Sequence, residues 1–228
     1  MKTIVRCPKC GADEEAALLE IGNENLHQVK CDKGHESFLV TTQQKYEILF
    51  EVGNYAIVDG YYREAISSFS ASLERYFEFF IKVLSVGLSS SEFQNAWKQV
   101  ASQSERQLGG YIFTYLNVFH TSPEILPQSL VKLRNSVIHK GHIPTRDEAV
   151  KFGEAVAKII NDGCNLLHRT KKDQLQEIIR KAICPNNSSN YPTLILHTYL
   201  NCLSERELSS FEDHLGSLQT HNKPRFET

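Results

Sequence analysis

The sequence predicts a mainly α protein, a helical bundle preceded by a small β-rich segment, on three observations. Apolar residues recur at helical spacing from Gln43 onward. Serine and threonine capping signals and a glycine stop mark helix ends within that region. The first 41 residues lack the helical period and carry clustered cysteines and glycines instead.

Residues 1–41 read as short strands and knuckles: 16–21 is apolar and 37–42 has β character. Tyr46, Leu49, Phe50, Gly53 and Ile57 mark one face of a first helix. A longer second helix is predicted over 62–84, with Ala65, Phe69, Ser72, Leu73, Tyr76, Phe80 and Leu84 in step. Ser89-Ser-Ser-Glu92 offers a capping box for a third helix through Trp97 and Val100, and 111–119 forms a short aromatic fourth. Pro127 starts a fifth helix that runs to His139 and stops at Gly141. Thr145-Arg-Asp-Glu148 is a second capping box, opening a helix through Val156, Ile159, Ile160 and Leu167. The run 185–192 reads as a linker, followed by a helical pair over 193–202 and 204–218, the second opened by Ser204 and Glu207. The expected division is therefore 1–41, 43–184 and 185–228.

Gly53, Asn54, Gly60, Tyr62, Ala65 and Phe69 fall where a tetratricopeptide repeat would place them, but no second copy follows. A helical hairpin with tight interhelical contact accounts for the pattern.

Composition narrows the function. A chain of 228 residues with 41 % apolar content supports one helical domain and a small appendage. The net charge of −2 excludes a basic field over the whole molecule, so any RNA contact must use a local patch. The first seven residues lack the apolar run of a signal peptide, and no stretch reads as a membrane span. Three of the six cysteines lie within the first 31 residues, while Cys164, Cys184 and Cys202 are scattered. That distribution suits a metal site in a reducing cytoplasm better than a disulfide framework.

Cys7-Pro-Lys-Cys10-Gly is a knuckle in which two thiolates three positions apart can share one tetrahedral ion. Cys31 follows at a distance, and Gly34 stands where a second Cys-x-x-Cys would need its thiolate. His35 is the natural fourth ligand; His27 competes, and Asp32 and Glu36 are weaker substitutes. The set resembles a zinc ribbon of the Cys3His kind, and four protein ligands give the ion a structural role.

The segment 130–142 carries the chemistry. On a helix, Leu130, Leu133 and Val137 form an ordinary core stripe. Val131 and Ile138 form a second apolar strip about a quarter-turn away, flanked by Arg134 on one side and by Asn135 and His139 on the other. Such a strip suits an interface between two copies of the chain. The plainer reading is a solvated arginine, an incidental asparagine and a histidine favoured by the helix dipole.

The run Arg134-Asn135-Ser-Val-Ile-His139 resembles the R-x4–6-H signature of HEPN domains, in the form with a polar residue directly after the arginine. The sequel 140–149 is similar to the turn and following helix of that family's defence and toxin branches, as is the helix containing Leu73-Glu74-Arg75-Tyr76. The likeness spans roughly residues 43–170. It implies a helical bundle that dimerises, joins two motifs in one cleft and cuts RNA without a metal. It further implies proton transfer by His139 and phosphate binding by Arg134, with Asn135 orienting the imidazole or bonding the scissile phosphate. An antitoxin or another defence component is the partner this branch implies.

Glu74 and Glu78 would orient Arg134 if buried, although the plainer reading is that each faces solvent. Lys140 and His142 flank the motif, and His120 and His168 read as surface or core histidines. Two other functions compete: a non-catalytic HEPN-like module that binds nucleotide or RNA, and a zinc-ribbon adaptor. The near-neutral charge suits both, whereas the Arg-Asn-x3-His pattern has no use in an adaptor.

Overall fold

The computed structural model describes residues 2–10, 16–183, 191–196 and 198–221. Cys184 and most of the expected linker fall outside the described residues. The chain forms two compact units, Met1–Gln44 with Gln176–His197, and Lys45–Leu175 with Thr198–Thr228. The segment 185–228 is thus shared between them.

In the first unit, β1 (Lys2–Arg6) pairs antiparallel with β2 (Ala16–Glu20). β3 (Leu26–Lys30) pairs antiparallel with β4 (Glu36–Thr41), and β5 (Thr193–Leu194) joins β4 in parallel. β3 alternates exposed and buried residues, which turns His27 and Val29 inward, as a half-buried strand requires. Among the residues expected to form a helix over 193–202, 193–194 are this short strand and the other described ones are irregular. Pro192 biases the residue before it toward an extended backbone, and β-branched Thr193 continues it into a pairing with β4 that local periodicity does not reveal. The Gln43 side chain clasps both backbone groups of Leu196 at 3.1 Å, which holds the returning chain in register.

The second unit is built around α2 (Tyr62–Leu84). α1 (Lys45–Val58) lies against it in a hairpin whose contact depends on Gly53: a Cβ there would stand 2.4 Å from the Phe69 ring. α4 (Ser104–Phe119), α5 (Gln128–Lys140) and α6 (Arg146–Thr170) also pack on α2, and α3 (Ser90–Val100) packs on α4. α2 buries Phe69, Tyr76, Phe77, Phe79 and Phe80, which join Tyr46, Phe50 and Tyr111 in an aromatic core. Helix ends follow local chemistry. The Ser89 hydroxyl accepts from the Glu92 N–H, and Thr145 and Glu148 form a reciprocal capping box. Gly141 closes α5 with φ +72°, where its lack of a Cβ removes the steric cost.

α7 (Lys172–Ile183) precedes β5, and α8 (Phe211–His221) completes the eight helices among the described residues. The last helix starts later than expected. Its cap is Ser210, which accepts from the Asp213 N–H at 3.3 Å, and Ser204 lies in irregular chain. That irregular stretch is held by polar groups. The buried Glu51 carboxylate accepts from the Tyr199 N–H at 3.0 Å, and the buried Glu47 carboxylate accepts from the Cys202 N–H at 2.6 Å. The Asn165 side chain brackets the Arg206 backbone at 2.9 and 3.1 Å. These contacts satisfy backbone that has no secondary structure of its own. No helix among the described residues is long and apolar enough to cross a membrane.

Candidate active site and metal-ligand cluster

In the first unit, Cys7, Cys10, Cys31 and His35 converge with their ligand atoms within 4.8 Å of one another. The Cys7 knuckle closes with the Cys10 N–H on the Cys7 carbonyl, and the Cys31 turn closes with the Gly34 N–H on the Cys31 carbonyl at 2.8 Å. Gly34 adopts φ +81°, which explains why glycine stands there and why the ligand comes one residue later. The Cys10 and Cys31 sulfurs are 3.8 Å apart. That is the edge of a tetrahedron with metal–sulfur bonds of about 2.3 Å. His35 Nδ1 approaches Cys10 Sγ at 3.1 Å.

The thiols share their protons unequally. Burial alone would raise the Cys7 pKa, but N–H donors of Lys9 and Cys10 and the two neighbouring thiols bring it down to about 6. Cys10 is pushed up to about 12 by burial and by Cys7 and Cys31. A cluster in which the Cys7 thiolate forms readily is primed to exchange protons for a cation. His27 takes no part. It is buried with Nε2 3.2 Å from Thr41 Oγ1, and burial pushes its pKa below the ordinary histidine value.

In the second unit, Arg134 projects from α5 and is held by side chains from three helices. Nη1 donates to Asn135 Oδ1 at 3.1 Å, and Nη2 donates to Glu74 Oε1 on α2 at 2.9 Å and to Ser104 Oγ on α4 at 3.2 Å. The pair is partly shielded, with 19 % of the Arg134 side chain and 28 % of the Glu74 side chain exposed. A guanidinium has five N–H donors, so Nε–H and one Nη1–H remain for an outside acceptor. His139 lies one turn beyond Asn135, exposed, with no hydrogen-bond partner among the described residues. Asn135 thus engages Arg134 rather than the imidazole.

Of the core stripe, Val137 is fully buried while Leu130 and Leu133 are half-buried. The second strip divides. Val131 lines a cavity in its own chain, and Ile138 stays half-exposed. That cavity, of about 220 Å³, adjoins Arg134 and Asn135 and is walled by Leu73, Phe77, Leu108 and Leu126. Glu78 pairs with Arg75 at 2.5 Å and with Lys82 at 2.6 Å, not with Arg134. His142 lies 3.6 Å from Glu148, and His168 Nε2 meets the Cys202 carbonyl at 2.6 Å.

Ser104 has no sequence signal that singles it out, whereas Glu74 sits on the half-buried edge of the amphipathic helix α2. No known protein family, curated protein or solved structure matches this chain.

Proposed function

We propose that the chain is a HEPN-type endoribonuclease of a defence or toxin–antitoxin system, acting in the cytoplasm without a catalytic metal. What supports the reading is the Arg134 arrangement: a guanidinium oriented by Glu74, Ser104 and Asn135 with donors to spare, and an exposed histidine with no competing partner on the same helix. In this reading the ribose 2′-OH attacks the adjacent phosphate. His139 takes or gives the proton, and Arg134 stabilises the charge that develops on the phosphorane. One chain offers one such histidine, so acid and base come from His139 of two chains in a homodimer, with Ile138 at their contact. The Cys7, Cys10, Cys31 and His35 cluster would hold Zn2+, which supplies structural rigidity to a unit with little core of its own.

The test is cleavage of single-stranded RNA by the full chain in EDTA, with analysis of product ends. Wild type should leave 2′,3′-cyclic phosphate and 5′-hydroxyl termini. His139→Ala should lose at least about a hundredfold in rate while staying folded. Cleavage by His139→Ala near the wild-type rate, or products with 5′-phosphates, would refute the mechanism.

A further inference from the structure

The cavity beside Arg134 is used by no step of the proposed cleavage. At about 220 Å³ it is smaller than pockets for drug-sized ligands, and its scale suits a single heterocycle. Leu73, Phe77, Leu108, Leu126 and Val131 give it apolar walls, with the Phe77 ring among them. One side is polar, and much of its hydrogen-bonding capacity is unspent. The Asn135 amide nitrogen and the Gln128 carboxamide have no partners among the described residues, and neither does Glu74 Oε2. The two unspent Arg134 donors lie at the same rim.

We propose that this cavity is a binding subsite for one unstacked nucleobase, preferentially a purine. An apolar slot with an aromatic wall accepts the faces of a planar base, and carboxamides at its edge meet the base's donors and acceptors. A free carboxamide such as that of Gln128 has the donor–acceptor pair that adenine reads on its N6/N7 edge. The Arg134 donors at the rim then stand where the phosphate of the same nucleotide emerges. The inference rests in part on the nuclease reading, since it makes the bound base part of the strand to be cut. It confines recognition to single-stranded RNA, because a base in a duplex cannot enter the slot. It also explains how a chain of net charge −2 engages RNA, with base burial replacing a broad basic surface.

The experiment is calorimetric titration of the full chain carrying His139→Ala, using millimolar adenosine, adenosine 5′-monophosphate and ribose 5-phosphate as probes. Adenosine and its monophosphate should bind, with ribose 5-phosphate at least about tenfold weaker. Leu108→Trp, which fills the slot, should abolish binding of both nucleoside probes without loss of helical circular dichroism. Should that variant misfold, Val131→Phe fills the same space from α5. Arg134→Ala should weaken the monophosphate more than adenosine. Ribose 5-phosphate binding as tightly as the monophosphate would overturn the subsite, as would adenosine binding indifferent to a folded filling variant. Filling variants that change only the oligomeric state, with no adenosine bound by the unfilled chain, would make the cavity a protein contact and equally overturn it. Adenosine binding without RNA cleavage by the chain with intact His139 would refute the nuclease reading alone. Cleavage without adenosine binding would refute the subsite alone.

Discussion

Arg134→Lys separates charge from geometry. The guanidinium reaches Glu74, Ser104 and Asn135 through two terminal nitrogens at 2.9–3.2 Å. A lysine ammonium is a point charge on a flexible stem; it can keep the Glu74 pair but cannot span all three partners. Losing the bonds to Ser104 and Asn135, each worth about 0.5–1.5 kcal/mol net, should cost about 1–3 kcal/mol in all. For a chain of this size that lowers Tm by roughly 2–12 °C. The effect on cleavage should be larger. The planar pair of unspent donors disappears, and loss of one preorganised donor to a developing oxyanion typically costs about a hundredfold or more. The assay is single-turnover cleavage of a labelled single-stranded RNA in EDTA, with thermal unfolding followed in parallel. A folded Arg134→Lys protein cleaving within about threefold of wild type would show that charge alone suffices and would refute the geometric argument.

Three further outcomes are expected. Cys10→Ser should abolish the one zinc per chain found by elemental analysis and unfold the first unit, while the helices of the second keep their circular dichroism; a metal-free wild type with an ordered N-terminus would contradict this. Ile138→Asp places a charge at the half-exposed end of the α5 apolar strip and should convert a dimer to monomer in light scattering, with cleavage lost alongside; a fully active monomer would exclude a composite site. Gly163→Ala would put a Cβ 1.7 Å from the buried Tyr76 hydroxyl and should destabilise by about 1–3 kcal/mol, so an unchanged Tm would mean that α2 and α6 can shift apart freely.

What the sequence determined by itself is whatever neighbouring residues decide among themselves. The caps at Ser89 and Thr145, the glycine stop at Gly141 and the two closed cysteine turns need only residues within one or two turns of one another, and each is legible as a short motif. The amphipathic stripe of α2 is legible for the same reason, since one helix carries it. Tertiary structure decided the rest. Glu74 meets Arg134 across 60 residues of chain, and on sequence alone a carboxylate there fits solvent as well as an ion pair. The choice between His27 and His35 followed from strand register, which turned His27 inward to Thr41 and left His35 beside the thiols. The described residues of 193–202 carry enough apolar side chains to pass for a helix. Yet their backbone is satisfied by β4, by Gln43 and by the buried carboxylates of Glu47 and Glu51, each about 150 residues away. Periodicity reports which face of a segment is apolar, but a segment whose hydrogen bonds go to distant side chains takes its shape from those partners.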